Sequence, residues 1–303
     1  MPASFRLALG AVCIAFAPIL AKGATLGPTG LGPTVVGFYR CLFGAVILLT
    51  LALRSRGQRV ATRPLSSRAR WALCLLAGGI FALDLAVWHR SVVWAGAGLG
   101  TILGNTQVFY LGLIGLIWQR ERLSARYLIS VPLAFVGIVV LVGSEPADSV
   151  GDHYRWGVAF GLATGIVYAS FLMVMRRLEA AITGSTMRLL GTVILVAAGV
   201  LAVVTTIENG WGVPTAYELG QLLLLAAIPQ ALGWWLITRS LPDVPVSTSG
   251  LILLLQPALA TLLGSVLFDE PLGVERWVGA FLTFVAIYLG STRQATPASD
   301  SES

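Results

Sequence analysis

Asn105, Thr106 and Gln107 are three consecutive residues with amide or hydroxyl side chains inside an otherwise apolar stretch, which reads AGAGLGTILG before them and VFYLGLIGLIW after them. Such groups in an apolar setting must bond either a neighbouring segment or a polar ligand. On a helix that turns about 100° per residue, Asn105 shares a face with Thr101, which predicts a hydrogen bond in a seam between helices. Gln107 lies further around the helix, and with Thr106 and Tyr110 it is our candidate for substrate binding.

Asp84 and Arg40 are ionisable residues within apolar segments, and such a group inside a membrane is a functional candidate by default. Each lies about six residues from the same predicted end of its segment, or about 9 Å deep at 1.5 Å per residue. Two roles are open: an ion pair that only orients the helices, and the handling of substrate or protons.

The other reactive residues do not favour catalysis, metal binding or nucleic-acid binding. His89 and His153 lie at or beyond the ends of apolar segments, and the three cysteines, Cys13, Cys41 and Cys74, have no metal-like spacing. A serine-type site would lack a base within reach, and an aspartyl dyad would need a second Asp within the membrane. No basic patch is interleaved with aromatic residues. We therefore expect no enzyme activity, no metal, no cofactor and no nucleic-acid partner.

The composition indicates an integral membrane protein. The 303 residues are 56% apolar and 11% charged, and the mean hydropathy is +0.84. A helix needs about 20 mostly apolar residues to cross the hydrocarbon core. The sequence predicts ten such helices and an all-α fold. They cover residues 5–21, 34–53, 71–90, 95–118, 126–143, 156–175, 187–206, 219–238, 246–268 and 274–291.

The arginine distribution predicts the topology, because short cytoplasmic loops accumulate Lys and Arg. With the N-terminus in the cytoplasm, the cytoplasmic side holds 15 of the 20 basic residues. These are Arg6, Arg54, Arg56, Arg59, Arg63, Arg68, Arg70, Arg120, Arg122, Arg126, Arg176, Arg177, Arg188, Arg239 and Arg293. Both termini are therefore predicted to be cytoplasmic, and residues 293–303 form a polar tail that we expect to be disordered.

An internal repeat relates the two halves of the chain. A shift of 149 residues places residues 91–123 over 240–272, with Gln107 over Gln256 and Glu121 over Glu270. The predicted repeats are residues 1–144 and 156–292, joined by an external linker at 145–155. Each repeat holds five spans, and because five is odd the second repeat must be inverted relative to the first.

Inverted repeats are typical of secondary transporters, which bind substrate near the bilayer midplane between the repeats. Gln107 and Gln256 both fall near the middle of their spans, so we predict that they line a central cavity. Tyr168, Gln230 and Trp234 are the other midplane candidates. The alternative functions are a channel and a non-transporting receptor or scaffold, because repeats alone do not establish alternating access.

Two matching units carry a resemblance to a known family. They are AGAGLGTILGNTQVFYLGLIGLIWQRERLS and STSGLILLLQPALATLLGSVLFDEPL, each with a closing Glu-x-Leu, and the segment from Pro33 to Arg40 also fits. On these residues the chain resembles the drug/metabolite transporter superfamily, specifically a permease with two EamA domains. One departure is Val108, where the second half has Pro257 and the family commonly has proline. This difference argues against a symmetric opening of the two helices at the midplane.

The resemblance implies a ten-helix carrier of small organic metabolites, often coupled to ion or substrate gradients. We expect an exporter of amino acids, related metabolites or drugs in a bacterial cytoplasmic membrane. The scarcity of charge in the predicted cavity favours a neutral, zwitterionic or lipophilic substrate. Proton coupling is a hypothesis, membrane lipid is the other expected partner, and the oligomeric state is left open.

Overall fold

A computed structural model describes residues 1–54, 64–95, 97–142, 153–267 and 273–291, which are helical over most of their length. The predicted tail and most of the predicted linker lie outside these described residues. The ten helical units are labelled α1 to α10 here, and four of them consist of more than one segment. They are α1 (Ala3–Ala15 and Ala17–Thr25), α2 (Pro33–Arg54), α3 (Ser67–Ala95), α4 (Ala97–Gly104 and Gln107–Ile117), α5 (Ala125–Val142), α6 (Tyr154–Ala180), α7 (Thr186–Ile207), α8 (Ala216–Leu225, Ala226–Gly233 and Trp234–Ser240), α9 (Val246–Leu253 and Leu255–Leu267) and α10 (Val274–Ser291).

The helix lengths and apolar content confirm an integral membrane protein with the predicted fold. Among the described residues, seven helices are long and apolar enough to cross a bilayer. Three shorter apolar helices, within α5, α9 and α10, complete the ten predicted spans. The protein is therefore an all-α bundle of two inverted five-helix repeats.

Helix packing follows a two-fold relation between the repeats. The helices α2 and α7 pack on each other, as do α5 and α10, and α4 and α9, so each contacts its own equivalent in the other repeat. The helices α3 and α6 also pack together, and so does the equivalent pair α8 and α1. An interface between one helix of the first repeat and another helix of the second thus recurs with the two repeats exchanged.

Glycines allow the equivalent helices to approach closely, as is usual where hydrophobic driving force is absent between helices in lipid. A Cβ atom built at Gly137 of α5 would lie 2.7 Å from the Thr283 amide nitrogen of α10. A Cβ built at Gly250 of α9 would lie 3.1 Å from the Leu111 side chain of α4. The repeats are therefore held together by backbone-level contacts that larger residues would separate.

Both α4 and α9 are interrupted near their middles, at equivalent positions. The first segment of α4 ends at Gly104 and the second begins at Gln107, whereas α9 breaks at Leu254. Asn105 and Leu254 are 149 residues apart, which is the repeat spacing found in the sequence. The helix α4 is therefore interrupted even though Val108 stands where a proline is common, and an unequal opening of α4 and α9 stays a prediction.

Different residues interrupt the two helices. In α4, the Asn105 Nδ2 donates to the Thr101 carbonyl at 2.8 Å, and the Thr106 hydroxyl donates to the Leu103 carbonyl at 2.6 Å. These side chains bond the carbonyls of the preceding turn, a pattern that bends helices. In α9, Pro257 lacks the amide hydrogen that would continue the helix. The break in α4 is thus accompanied by side-chain hydrogen bonds, whereas the break in α9 lies beside a proline.

The helix α8 contains a π-helical segment, Ala226–Gly233, with Pro229 inside it. Because proline has no amide hydrogen, a regular α-helical turn is not available at this point. A π-helical turn contains an additional residue, so it changes the face on which later residues lie, and such turns are frequent at functional sites. Gln230 follows the proline directly and is fully buried.

Candidate substrate-binding site

The Gln256 and Tyr168 side chains meet directly after the break in α9. The Gln256 Nε2 and the Tyr168 hydroxyl are 3.2 Å apart, which is hydrogen-bonding distance. Both residues lie near the middle of their helices, and both are partly accessible rather than buried. The pair thus presents an amide and a phenol at midplane depth, where either can bond a polar molecule.

Arg40 of α2 and Gln230 of α8 form a second polar pair. The Arg40 Nε donates to the Gln230 Oε1 at 2.9 Å, and both side chains are buried. Gly44, one turn beyond Arg40, makes this approach possible, because a Cβ at that position would lie 2.6 Å from the Gln230 Cγ. The Gln230 Nε2 is buried and has no hydrogen-bond partner in the described part of the chain.

Asp84 of α3 does not form the ion pair that was one of its two predicted roles. Among the described residues, Asp84 and Arg40 make no ion pair, and the Arg40 Nε is bonded to Gln230. The Asp84 Oδ1 is buried without a hydrogen-bond partner among these residues. Asp84 is nevertheless close enough to both Arg40 and Tyr168 to interact with them electrostatically.

We use the name central polar cluster for two hydrogen-bonded pairs, Arg40 with Gln230 and Tyr168 with Gln256, together with Asp84, which interacts electrostatically with Arg40 and Tyr168. The cluster draws on helices of both repeats, since α2 and α3 belong to the first and α6, α8 and α9 to the second. It combines one cationic, one acidic and three uncharged polar side chains. Opposite charges that are not paired with each other leave hydrogen-bonding capacity for a ligand.

Trp234 packs beside the cluster and closes one side of it with aromatic rings. Its ring meets those of Phe81, Phe171 and Tyr168 at centroid distances of 5.4, 5.1 and 6.1 Å, all nearly perpendicular. Trp234 is 4% exposed. Edge-to-face packing of this kind stabilises a rigid apolar wall beside the polar groups.

Two segments of the chain, residues 1–143 and 155–292, match the family described as "EamA-like transporter family". Together these segments make up well over half of the chain. The chain belongs to the EamA-like transporter family. The assignment agrees with the resemblance found in the sequence, and as an EamA-like protein the chain is a membrane transporter.

Curated relatives of this EamA-like protein are also named as transporters. Uncharacterized transporter YwfM of Bacillus subtilis (strain 168) is 22% identical over 265 residues, which is 86% of this chain and 85% of the relative. An uncharacterized transporter of Clostridium kluyveri is 21% identical over 82% of this chain and 79% of its own length. A solved crystal structure with 16% sequence identity covers 96% of this chain and 98% of its own, with a TM-score of 0.79. That structure establishes likeness of fold alone.

In this EamA-like transporter, the residues predicted on α4 contact α6 and α9 at positions other than those of the central polar cluster. Gln107 is fully buried, and its Nε2 donates to the Gly250 carbonyl of α9 at 3.4 Å. Its Oε1 is buried without a partner among the described residues. Thr106 and Tyr110 pack against Gly165 of α6. The cavity-lining role of these three residues stays a prediction, and their contacts in this structure are packing contacts between helices.

Asn105 differs from the prediction in its partner. The predicted hydrogen bond joined two helices, whereas the Asn105 amide bonds the Thr101 carbonyl of its own helix. The same carbonyl also accepts the regular helical bond from the Asn105 backbone amide at 3.1 Å, so the side chain adds a second bond to the last turn before the break.

One residue that the sequence reasoning left without a role is Glu121, in the first Glu-x-Leu unit. Its carboxylate accepts hydrogen bonds from the Val246 amide at 2.6 Å, the Ser247 amide at 3.1 Å and the Ser247 hydroxyl at 2.6 Å. Val246 and Ser247 are the first residues of α9. An acidic side chain stabilises a helix N-terminus by accepting bonds from its first amides. The first turn of α9 follows Pro245 and contains no acidic residue, and this is the sequence signal that could have indicated a capping acid from another part of the chain.

Proposed function

We propose that this chain is a secondary transporter that moves small organic molecules by alternating access. The observation that carries the proposal is the pair of equivalent breaks in α4 and α9, two helices that pack on each other between the inverted repeats. Discontinuous helices at a repeat interface are the usual location of the substrate site in such carriers. The domain boundaries we propose are residues 1–144 and 156–292.

The central polar cluster supports a substrate that carries no large net charge. One arginine and one aspartate offset each other, and the remaining polar groups are amides and a phenol. Such a set of groups suits neutral or zwitterionic molecules, and the aromatic wall at Trp234 suits lipophilic ones. Amino acids, related metabolites and amphiphilic drugs fall within this range, and we propose export as the direction.

Asp84 is the proposed coupling residue. A carboxyl group with a buried, unpartnered oxygen in a membrane interior can take up and release a proton as its surroundings change. Its electrostatic interactions with Arg40 and Tyr168 would then link protonation to the binding groups. This proposal assigns Asp84 a dynamic role instead of a permanent ion pair.

The proposed orientation places both termini in the cytoplasm of a bacterial cell. It is supported by the sequence, in which 15 of the 20 basic residues fall on the side predicted to be cytoplasmic. The curated relatives named above are bacterial, which supports the cytoplasmic membrane as the location.

Counterflow in proteoliposomes tests the proposed function. Vesicles containing the purified protein would be loaded with unlabelled candidates, a panel of amino acids and toxic amphiphiles, and exposed to the labelled compound outside. A carrier gives saturable uptake that exceeds equilibrium transiently when the same compound is inside. Flux that does not saturate and shows no counterflow would instead establish a channel.

A further inference from the structure

A cleft away from the central polar cluster lies at the N-terminal end of the bundle. It has a volume of about 170 Å³ and lies between the start of α3, the joint that follows α6 and the start of α7. Its lining residues are Arg70, Trp71, Cys74, Ile182, Thr183, Gly184, Ser185, Arg188, Leu189 and Thr192. Two arginines from helices far apart in sequence therefore share one concave surface.

The two arginines have no acidic partner in the described part of the chain. Neither Arg70 nor Arg188 takes part in an ion pair or a side-chain hydrogen bond there, and both are exposed. On the adjoining turn, the Glu179 carboxylate is fully buried and accepts a hydrogen bond from Thr186 at 2.6 Å. The cleft thus combines two guanidinium groups with no exposed carboxylate among its lining residues.

The start of α7 adds to the positive potential of the cleft. Ser185 is the N-cap residue, and its side chain caps no backbone amide of the first turn. Amides at a helix N-terminus carry partial positive charge, so a basic residue there is unfavourable for the isolated helix. Arg188 stands in this first turn, and a bound anion would offset both the guanidinium charge and the partial positive charge of the first-turn amides.

Apolar residues lead from the cleft toward the bilayer core on both helices. Trp71 and Leu75 are one turn apart on one face of α3 and are 55% and 56% exposed. Arg188, Thr192 and Leu195 recur at helical spacing on one face of α7, and Leu195 is 44% exposed. An anion bound in the cleft would therefore sit directly above a lipid-facing surface, with an interfacial tryptophan beside it.

We propose that this cleft binds the phosphate of an anionic phospholipid headgroup, with the acyl chains lying along Leu75 and Leu195. A planar guanidinium matches phosphate geometry with two parallel hydrogen bonds, and two such groups can hold one phosphate between them. The continuous apolar path favours a lipid over free phosphate as the source of the anion. This site is independent of the transported substrate.

Binding of phosphatidylglycerol to the delipidated full-length protein tests the proposal. Native mass spectrometry in detergent would compare the wild type with the double variant Arg70→Gln/Arg188→Gln, using phosphatidylcholine as the reference lipid. We expect the double variant to bind phosphatidylglycerol about 30-fold more weakly, which corresponds to about 1 kcal/mol per arginine. Binding of phosphatidylcholine should be similar in both proteins.

The matched control is Arg122→Gln/Arg126→Gln, which removes the same charge from exposed positions at the same end of the bundle. It should bind phosphatidylglycerol as the wild type does. The proposal is overturned if the two double variants behave alike, since binding would then depend on general surface charge. It is also overturned if millimolar inorganic phosphate displaces the lipid completely, since the cleft would then recognise a soluble anion.

Discussion

Glu121 and Ser247 join the two repeats at the N-terminal end of the bundle, because the Glu121 carboxylate accepts both the backbone amide and the hydroxyl of Ser247. The same carboxylate also accepts the Val246 amide, so one side chain caps the first turn of α9. Glu121 and Ser247 are 126 residues apart in sequence, and their contact connects the end of α4 to the start of α9, its equivalent helix. It therefore links the two interrupted helices directly.

Glu121→Ala should destabilise the protein, because the first amides of α9 lose their acceptor. The loss should be about 2 kcal/mol in the free energy of unfolding. Thermal unfolding in detergent, followed by the loss of the monodisperse size-exclusion peak, measures the effect as a lower unfolding temperature. Arg122→Ala, at the adjacent exposed position, is the control and should unfold with the wild type. Identical unfolding of both variants would contradict the capping role.

Gln256 and Tyr168 should act together in substrate binding. Gln256→Leu or Tyr168→Phe should each cost about 1 to 3 kcal/mol, or roughly 5-fold to 150-fold in apparent affinity. The double variant should lose less than the sum of the two, with a coupling of about 1 kcal/mol. Saturation of counterflow gives the affinities, and Tyr110→Phe on α4 should be near the wild type. Strict additivity would show that the hydrogen bond has no part in binding.

Gln107→Met should leave substrate affinity within about twofold, since Gln107 lies outside the central polar cluster. Replacing a buried amide that has an unpartnered oxygen by an apolar group of similar size is often neutral or stabilising. We therefore expect an unchanged or higher unfolding temperature. A large loss of affinity with normal stability would return Gln107 to the substrate site.

Gln230→Leu should leave the Arg40 Nε without its acceptor inside the bundle. The expected cost is about 1.5 to 3 kcal/mol of stability, because a buried hydrogen bond to a charged group is lost. Gln230→Glu retains an acceptor oxygen and should restore much of the stability, while Gln119→Leu at an exposed position is the control. Unfolding temperatures in detergent check this order, which would be contradicted if Gln230→Leu and Gln119→Leu were equally stable.

Asp84→Asn should lower transport more than surface expression. Asparagine keeps the shape of the side chain but takes up no proton, so the loss should persist from about pH 5.5 to about pH 8 outside the cell. Expression measured on the same cells separates transport from folding. Normal transport by Asp84→Asn over this pH range would limit Asp84 to a structural role.

The ten spans and the repeat could be predicted because they depend on the length of apolar segments and on their number, both of which can be read directly from the sequence. A bilayer demands apolar length wherever the chain crosses it, and an odd number of spans per repeat imposes inversion. The spacing of 149 residues that placed Gln107 over Gln256 also places Asn105 over Leu254, where the helices break. Architecture was therefore accessible to simple counting.

The direction in which individual side chains point was harder to predict, because a constant turn of about 100° per residue holds only along an unbroken helix. The interruption at Asn105 leaves Gln107 against Gly250, and the π-helical turn at Pro229 lies beside the contact between Gln230 and Arg40. The contact of Arg40 with Gln230 could not be predicted from residue spacing for this reason. Local departures from helical geometry determined which polar groups meet.

The breaks in α4 and α9 differ in how readily they can be reversed, because a different local hydrogen-bonding pattern accompanies each break. At the break in α4 the Thr106 backbone amide donates to the Leu103 carbonyl at 3.1 Å, and this bond can be exchanged for a regular one to Ile102, so we expect α4 to be able to straighten. Pro257 has no amide hydrogen to exchange, so we expect α9 to keep its bend during transport. The two repeats are thus symmetric in shape but unequal in stiffness, and we infer that the energy barriers for opening toward the two sides of the membrane differ.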